Sequence, residues 1–295
     1  MSDNQGLSIL VPNYNFVCTQ LVSDLQRQAE TLSVPYEIIV SDDASTDADS
    51  ICRNESINAL PHCRYIVQPR NLGRANNRNF LARESKLSHL LFIDSDMTIL
   101  SPSYLADYWH HHTCDVVYGG YMVCEGDRHL DTNLRYLFEM SCQSLSSAAY
   151  RQKSPYHHFH TSNFMIRRSI MTSIPFDNRF TQYGYEDVLL GKRLCENNIN
   201  IQHIDNPLGF DLFEDNDDFL RKTEESLRTL HQFQDELRGY NSLLAFCDNL
   251  RKTRLHLPFK WFHRMYGPLL RAILCGRHPS LVVFRLYKIG YFLNL

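Results

Sequence analysis

The sequence predicts an α/β fold: a mostly parallel sheet flanked by helices. Two patterns point there. Short apolar runs alternate with polar stretches of helical length through the first half of the chain. Two carboxylate pairs, Asp42-Asp43 and Asp94-Ser95-Asp96, stand directly behind two of those runs. In an open parallel sheet, groups beyond the carboxyl ends of strands converge on one crevice.

The elements can be taken in order. Residues 7–11 read as the first strand, closed by Pro12, which lacks an N–H and restricts its neighbour. A helix is expected over 17–31 and a second strand over 37–40. Asp43-Ala44-Ser45-Thr46-Asp47 then offers capping side chains to a helix over 47–59. A third strand over 65–67 and a helix over 74–87 lead to a short buried strand over 89–93. The second half is less regular: a helical stretch near 131–149, strands at 163–166 and 200–204, and a helix at 186–196. Leu220, Thr223, Leu227, Leu230 and Leu237 recur at helical spacing between charged residues, as on a surface helix.

At 295 residues the chain can bury a sizeable core. Its net charge of −3 hides an asymmetry: residues 1–250 hold 21 Lys and Arg against 33 Asp and Glu, whereas 251–295 hold nine Lys and Arg and no carboxylate. The acidic body excludes a general nucleic-acid binder. The break suggests a body over 1–240 and a basic, aromatic-rich helical tail over 241–295. Nine cysteines without a Cys-x-x-Cys pair argue for free thiols in the cytoplasm. No secretory signal and no apolar run of membrane-spanning length is expected.

The acidic groups carry the chemistry. Asp94 and Asp96 need a compensating charge, and a divalent cation carrying a diphosphate supplies one economically. Glu186-Asp187 opens a later helix as a third acidic site. Pro12-Asn13-Tyr14-Asn15 stands where a Gly-rich phosphate loop would be, so a dinucleotide oxidoreductase and a P-loop ATPase both lose their cradle. His110-His111-His112 and the cluster His157, His158 and His160 lack zinc-site spacing with cysteines; the second reads as a solvent- or acceptor-facing loop. Tyr183 and Tyr185 flank Gly184 and suit either the apolar face of a ligand ring or ordinary packing. Gly119-Gly120 and residues 150–163 are candidates for shaping the substrate pockets.

Taken together, Pro12-Asn13-Tyr14-Asn15, Val40-Ser41-Asp42-Asp43-Ala44-Ser45-Thr46-Asp47, Asn71-Leu72-Gly73-Arg74, Asp94-Ser95-Asp96 and Gly184-Tyr185-Glu186-Asp187 form an ordered set. The set resembles the inverting, GT-A-fold glycosyltransferases of family 2, over about residues 7–210; Asn163-Phe164-Met165-Ile166-Arg167-Arg168 resembles bacterial members. The resemblance implies a Rossmann-like nucleotide-diphospho-sugar transferase fold. Pro12 and Tyr14 would line the nucleotide pocket, Asp42 or Asp43 would recognise the nucleoside, and Arg74 would approach the nucleotide. Asp96 would be the main carboxylate holding Mg2+ or Mn2+ on the donor diphosphate, while Asp94 would contact ribose or the metal through water. Asp187 would be the base that deprotonates an acceptor hydroxyl, with Glu186 positioning acceptor or loop. Related sequences commonly complete the metal site with a histidine near Leu208-Gly209-Phe210-Asp211, where this chain has Phe210; Asp211 or His203 could substitute, although His203 alternates with Ile201 and Ile204 like a packed residue.

The function implied is inverting transfer from a nucleotide sugar to a hydroxyl of a glycan or lipid-linked acceptor. The alternatives are a non-catalytic sugar-nucleotide-binding or scaffold protein of a glycan-assembly complex, and a nucleotidyltransferase. Pro258, Gly267 and Pro279 are expected to cut the tail into short helices. Trp261, Phe262, Tyr266, Leu269 and Leu270 would form an apolar face for an anionic membrane at the inner face of the cell membrane, or for a homodimer.

Overall fold

The computed structural model describes residues 4–124 and 130–295. The first half runs β1 (Leu7–Asn13), α1 (Thr19–Ala29), β2 (Tyr36–Asp42), α2 (Ala48–Asn54), a 3-10 turn (Glu55–Ala59), β3 (Cys63–Val67), α3 (Arg74–Glu84) and β4 (His89–Ile93). Next come β5 (Thr98–Ile99), α4 (Tyr104–His110), β6 (Val116–Tyr118), β7 (Tyr121–Val123), α5 (Leu134–Gln143) and α6 (Ala148–Arg151). After these lie β8 (Asn163–Arg167), α7 (Arg168–Ser173), α8 (Glu186–Glu196), β9 (Ile201–His203) and β10 (Leu208–Phe210). The helices α9 (Asn216–Gln232), α10 (Gln234–Leu237), α11 (Ser242–Lys252), α12 (His256–Cys275) and α13 (Leu281–Asn294) complete the order.

Among the described residues the main sheet has seven strands in the order β3-β2-β1-β4-β8-β6-β9. β1 to β4 run parallel, and β9 is parallel to β6. β8 alone is reversed, antiparallel to both β4 and β6. A small second sheet, β5-β10-β7, stands beside it. The mostly parallel sheet expected from the alternating pattern is thus present.

Strand periodicity divides the core between the two faces of the sheet. Leu10, Ile39, Leu90, Phe92, Phe164 and Ile166 join one cluster; Ile9, Val11, Ile38, Val40, Leu91, Ile93 and Met165 join the other. α1 and α4 cover the second face through Leu21, Val22, Leu25, Tyr104, Leu105 and Tyr108. α3, α8, α9, α11 and α13 cover the first, which explains why the central strands read as unbroken apolar runs. A third cluster ties Leu270 and Leu274 of α12 to Phe219 and Leu220 of α9 and Leu134 of α5.

Two expectations fail for identifiable reasons. Pro12 does not end β1, which continues to Asn13 with Pro12 opposite Ser41 of β2. The Asn13 carbonyl points to β2, where it accepts the Asp43 amide at 2.9 Å. The Pro12 nitrogen therefore faces the opposite side, where pairing with β4 has already stopped at Leu10, so no ladder bond is lost. Nor do Pro258 and Gly267 break the tail: α12 is continuous over 20 residues. Pro258 sits in its first turn, where an N–H lacks an intrahelical partner anyway. Pro268 lies inside the helix on its exposed side, where water can serve the freed carbonyl. Pro279 does separate α12 from α13.

Candidate active site

The carboxyl ends of β1, β2 and β4 and the amino ends of α3 and α8 meet at one crevice. Asp42, at the end of β2, is wholly buried. Its oxygens accept from the Ser45 amide (2.7 Å), Ser45 Oγ (2.8 Å), Asn13 Nδ2 (3.1 Å) and Tyr65 OH (2.7 Å). Three of these bonds converge on Oδ2 and one on Oδ1, so Asp42 braces the loop. Asp43 accepts only the amides of Leu72 (2.7 Å) and Gly73 (2.9 Å), and so fixes the approach to α3. Burial lifts its carboxyl above the usual carboxylate range, and those amides pull the other way. Asn15 stitches the neighbouring loops together: its Oδ1 accepts the amides of Thr46 (2.7 Å) and Asp47 (3.0 Å). Asp47 in turn caps α2 through the Asp49 amide. Beyond β1 the Tyr14 ring stands exposed.

Arg78, one turn along α3 from Arg74, is the hub of the crevice. Its guanidinium donates to Asp94 Oδ1 at 2.6 Å and lies 3.5 Å from Glu186 Oε1, with only 2% of the side chain accessible. One buried cation thus links the strand-exit carboxylates to the first turn of α8. Arg74 is exposed, lies 4.7 Å over the Tyr183 ring, and faces the negative charges of Asp94, Glu186 and Asp96, which favour its charged form. Burial and the charge of Asp94 raise the Asp96 carboxyl, against the pull of Arg74 and Lys222. Burial and Asp187 raise Glu186, against Arg78 and Arg74.

The turn into α8 is conformationally demanding. Gly184 has φ +101°, and a Cβ there would stand 2.8 Å from Ser226 Cβ. Tyr185 follows at φ +69°, left-handed although not glycine, as N-cap of α8. This turn delivers Glu186 and Asp187 to the positive end of the helix dipole. Asp187 Oδ1 accepts the Val188 amide at 2.8 Å, and Oδ2 meets His160 Nδ1 at 3.1 Å. Burial works to raise the Asp187 carboxyl, but the hydrogen bond and charge of His160 outweigh it and leave it below the usual range. The imidazole is raised in return: burial opposes this, while the Asp187 bond and charge and the charge of Glu139 prevail over Arg151. His160 has 48% of its side chain open toward solvent, with the rings of Tyr118 and Tyr121 at 6.1 and 6.3 Å.

The crevice therefore gathers Arg74, Arg78, Asp94, Asp96, Glu186 and Asp187, with Asp43 bracing its edge. Residues 8–174 match the family model of glycosyl transferase family 2. The chain belongs to that family. Comparison with solved structures gives the fold of this family 2 glycosyltransferase. TarS (residues 1–349) from S. aureus superposes with TM-score 0.52 at 16% identity, covering 98% of this chain and 90% of TarS. The mannosyltransferase PcManGT from Pyrobaculum calidifontis, in complex with GDP-Man and Mn2+, gives TM-score 0.54 at 15% identity, covering 96% and 79%. The sheet and its helical C-terminal extension accord with a GT-A, Rossmann-like fold. No curated protein matches the sequence.

In this glycosyltransferase, sequence reasoning missed Arg78 and the pairing of His160 with Asp187. Arg78 carried one faint signal, its spacing of four from Arg74 on a helix whose inward face also holds Asn77 and Asn79. His160 was visible only as part of a histidine-rich loop, because its bond to Asp187 joins that loop to the first turn of α8, 27 residues on. His160 lies in the segment expected to face solvent or acceptor, and its side chain is 48% accessible. His203 is a packed residue: burial pushes it down to about 4, its Nδ1 accepts from Arg151 Nε (3.2 Å), and its Nε2 meets the Pro155 carbonyl (3.0 Å). Phe210 is buried edge-on against Tyr121 and Phe213, with the Arg135 guanidinium 5.3 Å away. Among the described residues no three His, Cys, Asp or Glu side chains gather as a metal-holding cluster. Gly119 packs where a Cβ would meet Asn206 O and Tyr108 OH at 2.5 Å. Beside it Asn163 satisfies its whole amide, donating to Gly120 O (2.6 Å) and Asn206 O (3.0 Å) and accepting from Tyr104 (2.6 Å) and Tyr108 (2.7 Å).

Proposed function

We propose that this protein transfers a sugar, with inversion, from a nucleoside-diphosphate sugar to a hydroxyl of a glycan or lipid-linked acceptor. The observation that carries this is the buried Arg78, which ties Asp94 at 2.6 Å and Glu186 at 3.5 Å into one crevice. This supports a reading in which leaving-group and acceptor chemistry lie side by side.

On this reading Pro12 and Tyr14 line the nucleotide pocket. Asp43 addresses the nucleoside, because Asp42 is wholly buried behind four hydrogen bonds from the protein. Arg74 meets the diphosphate. Asp96, with Asp94, is the candidate cation site. Burial and the charge of Asp94 raise the Asp96 carboxyl although Arg74 and Lys222 lie near it, and hard carboxylate oxygens suit Mg2+ or Mn2+. Two carboxylates leave the remaining positions to water and phosphate oxygens, so the residues fit a cation held jointly with the donor. When bound, it would offset the negative charge that gathers on the departing diphosphate. PcManGT, a fold relative, is described with GDP-Man and Mn2+.

Asp187 then accepts the proton of the acceptor hydroxyl as that oxygen bonds to the anomeric carbon. The bond to the phosphate oxygen breaks, and its electron pair leaves with the nucleoside diphosphate. A carboxylate held ionised over a wide pH range suits a late proton transfer. Glu186, anchored by Arg78, fixes the start of α8 and hence the Asp187 carboxylate. The test is a panel of nucleotide sugars incubated with soluble and lipid-linked acceptors and read by mass spectrometry. One donor should release its nucleoside diphosphate as an acceptor gains one sugar mass. A donor that binds without any turnover would instead mark a non-catalytic sugar-nucleotide-binding protein.

A further inference from the structure

α12 inverts the usual arrangement of a surface helix. At about 100° per residue, Gly267, Leu270 and Leu274 fall on the arc that is buried against the body. The outward arc, about half the circumference by the same geometry, carries Leu257, Pro258, Trp261, Phe262, Met265, Tyr266, Pro268, Leu269, Ala272 and Ile273 and no charged residue. These side chains are open: Trp261 is 62% accessible, Leu257 58%, Leu269 57% and Met265 53%. Leu270, expected on this face, is instead one of its buried anchors. A contiguous apolar face of this kind on a soluble surface marks an interaction site.

Charge decides what covers it. Lys260 and Arg264 lie along one edge of the apolar arc and form no ion pair among the described residues. Lys252, Arg254, Arg277 and Arg285 on the adjoining elements are likewise unpaired there. Arg271 is already neutralised, by Asp217 at 2.8 Å and Glu224 at 3.3 Å. Residues 251–295 contain no carboxylate. A second copy of this chain, meeting α12 face to face, would bring the same cations and no counter-charge from this segment. An anionic bilayer brings both an apolar interior for the arc and phosphates for the edge. No helix among the described residues is long and apolar enough to cross a membrane, and α12 has one side committed to the body. It can lie only in the plane of the interface.

We propose that the outward face of α12 is a membrane-docking surface, inserting Leu257, Trp261, Met265 and Leu269 among acyl chains of an anionic bilayer while Lys260 and Arg264 meet its headgroup phosphates. This does not depend on the sugar-transfer reading, and its test measures no transfer. The full chain is mixed with vesicles of phosphatidylcholine containing about a third phosphatidylglycerol, and with phosphatidylcholine alone, and binding is read by flotation. Preferential binding to anionic vesicles that weakens with salt is expected. Trp261 emission should shift to shorter wavelength on binding, and Trp261→Phe should bind while losing most of that shift. Trp261→Glu with Met265→Glu, and separately Lys260→Glu with Arg264→Glu, should each weaken binding at least about tenfold. Trp261, Arg264 and Met265 are exposed and Lys260 is partly so, and unchanged thermal melting confirms that folding is intact. The proposal is overturned if the chain ignores anionic vesicles, or if these variants bind as the parent does. It is equally overturned if the parent is a dimer in solution that Trp261→Glu with Met265→Glu converts to monomer, since α12 would then be a subunit interface.

Discussion

Replacing Arg78 by methionine removes the one buried cation that links two carboxylate motifs. Its contact with Asp94 at 2.6 Å is a charge-assisted bond, a type contributing about 1.5–3 kcal/mol. Asp94 is 20% accessible, so water recovers part of that loss. Glu186 is 7% accessible and 3.5 Å away, and it would keep its burial with less compensation. Contact with the Phe176 ring at 5.8 Å is lost as well, at about 0.5 kcal/mol. Against this, Arg78 Nε and one terminal nitrogen have no hydrogen-bond partner, so methionine removes a desolvation penalty. The net loss should be about 3 kcal/mol, at the low end of what breaking a buried ion pair costs.

The pH dependence separates lost charge from lost packing. Glu186 already titrates above its ordinary value of 4.5, and Arg78 is one of the groups holding it down. In Arg78→Met the folded carboxyl rises further. A raised carboxyl favours the folded state below its unfolded value, and that advantage is lost as pH rises through the folded value. The destabilisation should therefore grow from pH 4.5 toward pH 8. Urea unfolding followed by far-UV circular dichroism at both pH values measures it. A loss below about 1 kcal/mol, or an equal loss at both pH values, would refute the reasoning. Arg78→Lys, which can reach only one carboxylate, should fall between the two proteins.

Further perturbations address the surrounding residues. His160→Gln removes the hydrogen bond and charge that hold Asp187 down, so the acid limb of kcat/KM should move to higher pH; an unmoved limb counts against the pairing. The depressed Asp187 contributes stability above its unfolded value and the raised His160 below its own, so the stability cost should be largest at about pH 4–6.5 and shrink toward pH 8.5. Asp42→Asn should lower thermal stability more than Asp43→Asn, because its amide NH2 would face four donors rather than two; Asp43→Asn should in addition weaken nucleoside-diphosphate binding in calorimetry, and the opposite assignment would put the binding loss in Asp42→Asn. Gly184→Ala should cost about 2 kcal/mol in urea unfolding, from left-handed strain plus the close approach of Ser226. A neutral substitution there would mean that the turn into α8 relaxes freely.

Periodicity made the parallel half of the sheet legible, since buried central strands such as β1 and β4 must be apolar on both faces. Strand direction was not legible at β8: Asn163 to Arg167 reads as a strand either way, and its reversal follows from how the connections before and after it pack. The ends were misjudged where a local rule met a tertiary exception, as at Pro12, whose missing donor points at an unpaired edge. In the site, residues adjacent in sequence, Asp94 with Asp96 and Glu186 with Asp187, announced themselves. The groups that tune them did not, because Arg78 and His160 act across 16 and 27 residues or more. The choice between Asp42 and Asp43 needed the count of hydrogen-bond donors around each carboxylate.

Single-turnover transfer by Asp187→Asn, measured beside donor binding by calorimetry, tests the central claim most directly. With the donor and acceptor identified from the panel, the variant should bind donor within about threefold of the parent and lose about 100- to 10,000-fold in transfer rate, the range expected for a missing general base. Transfer at the parental rate would contradict the assignment of Asp187 as the base.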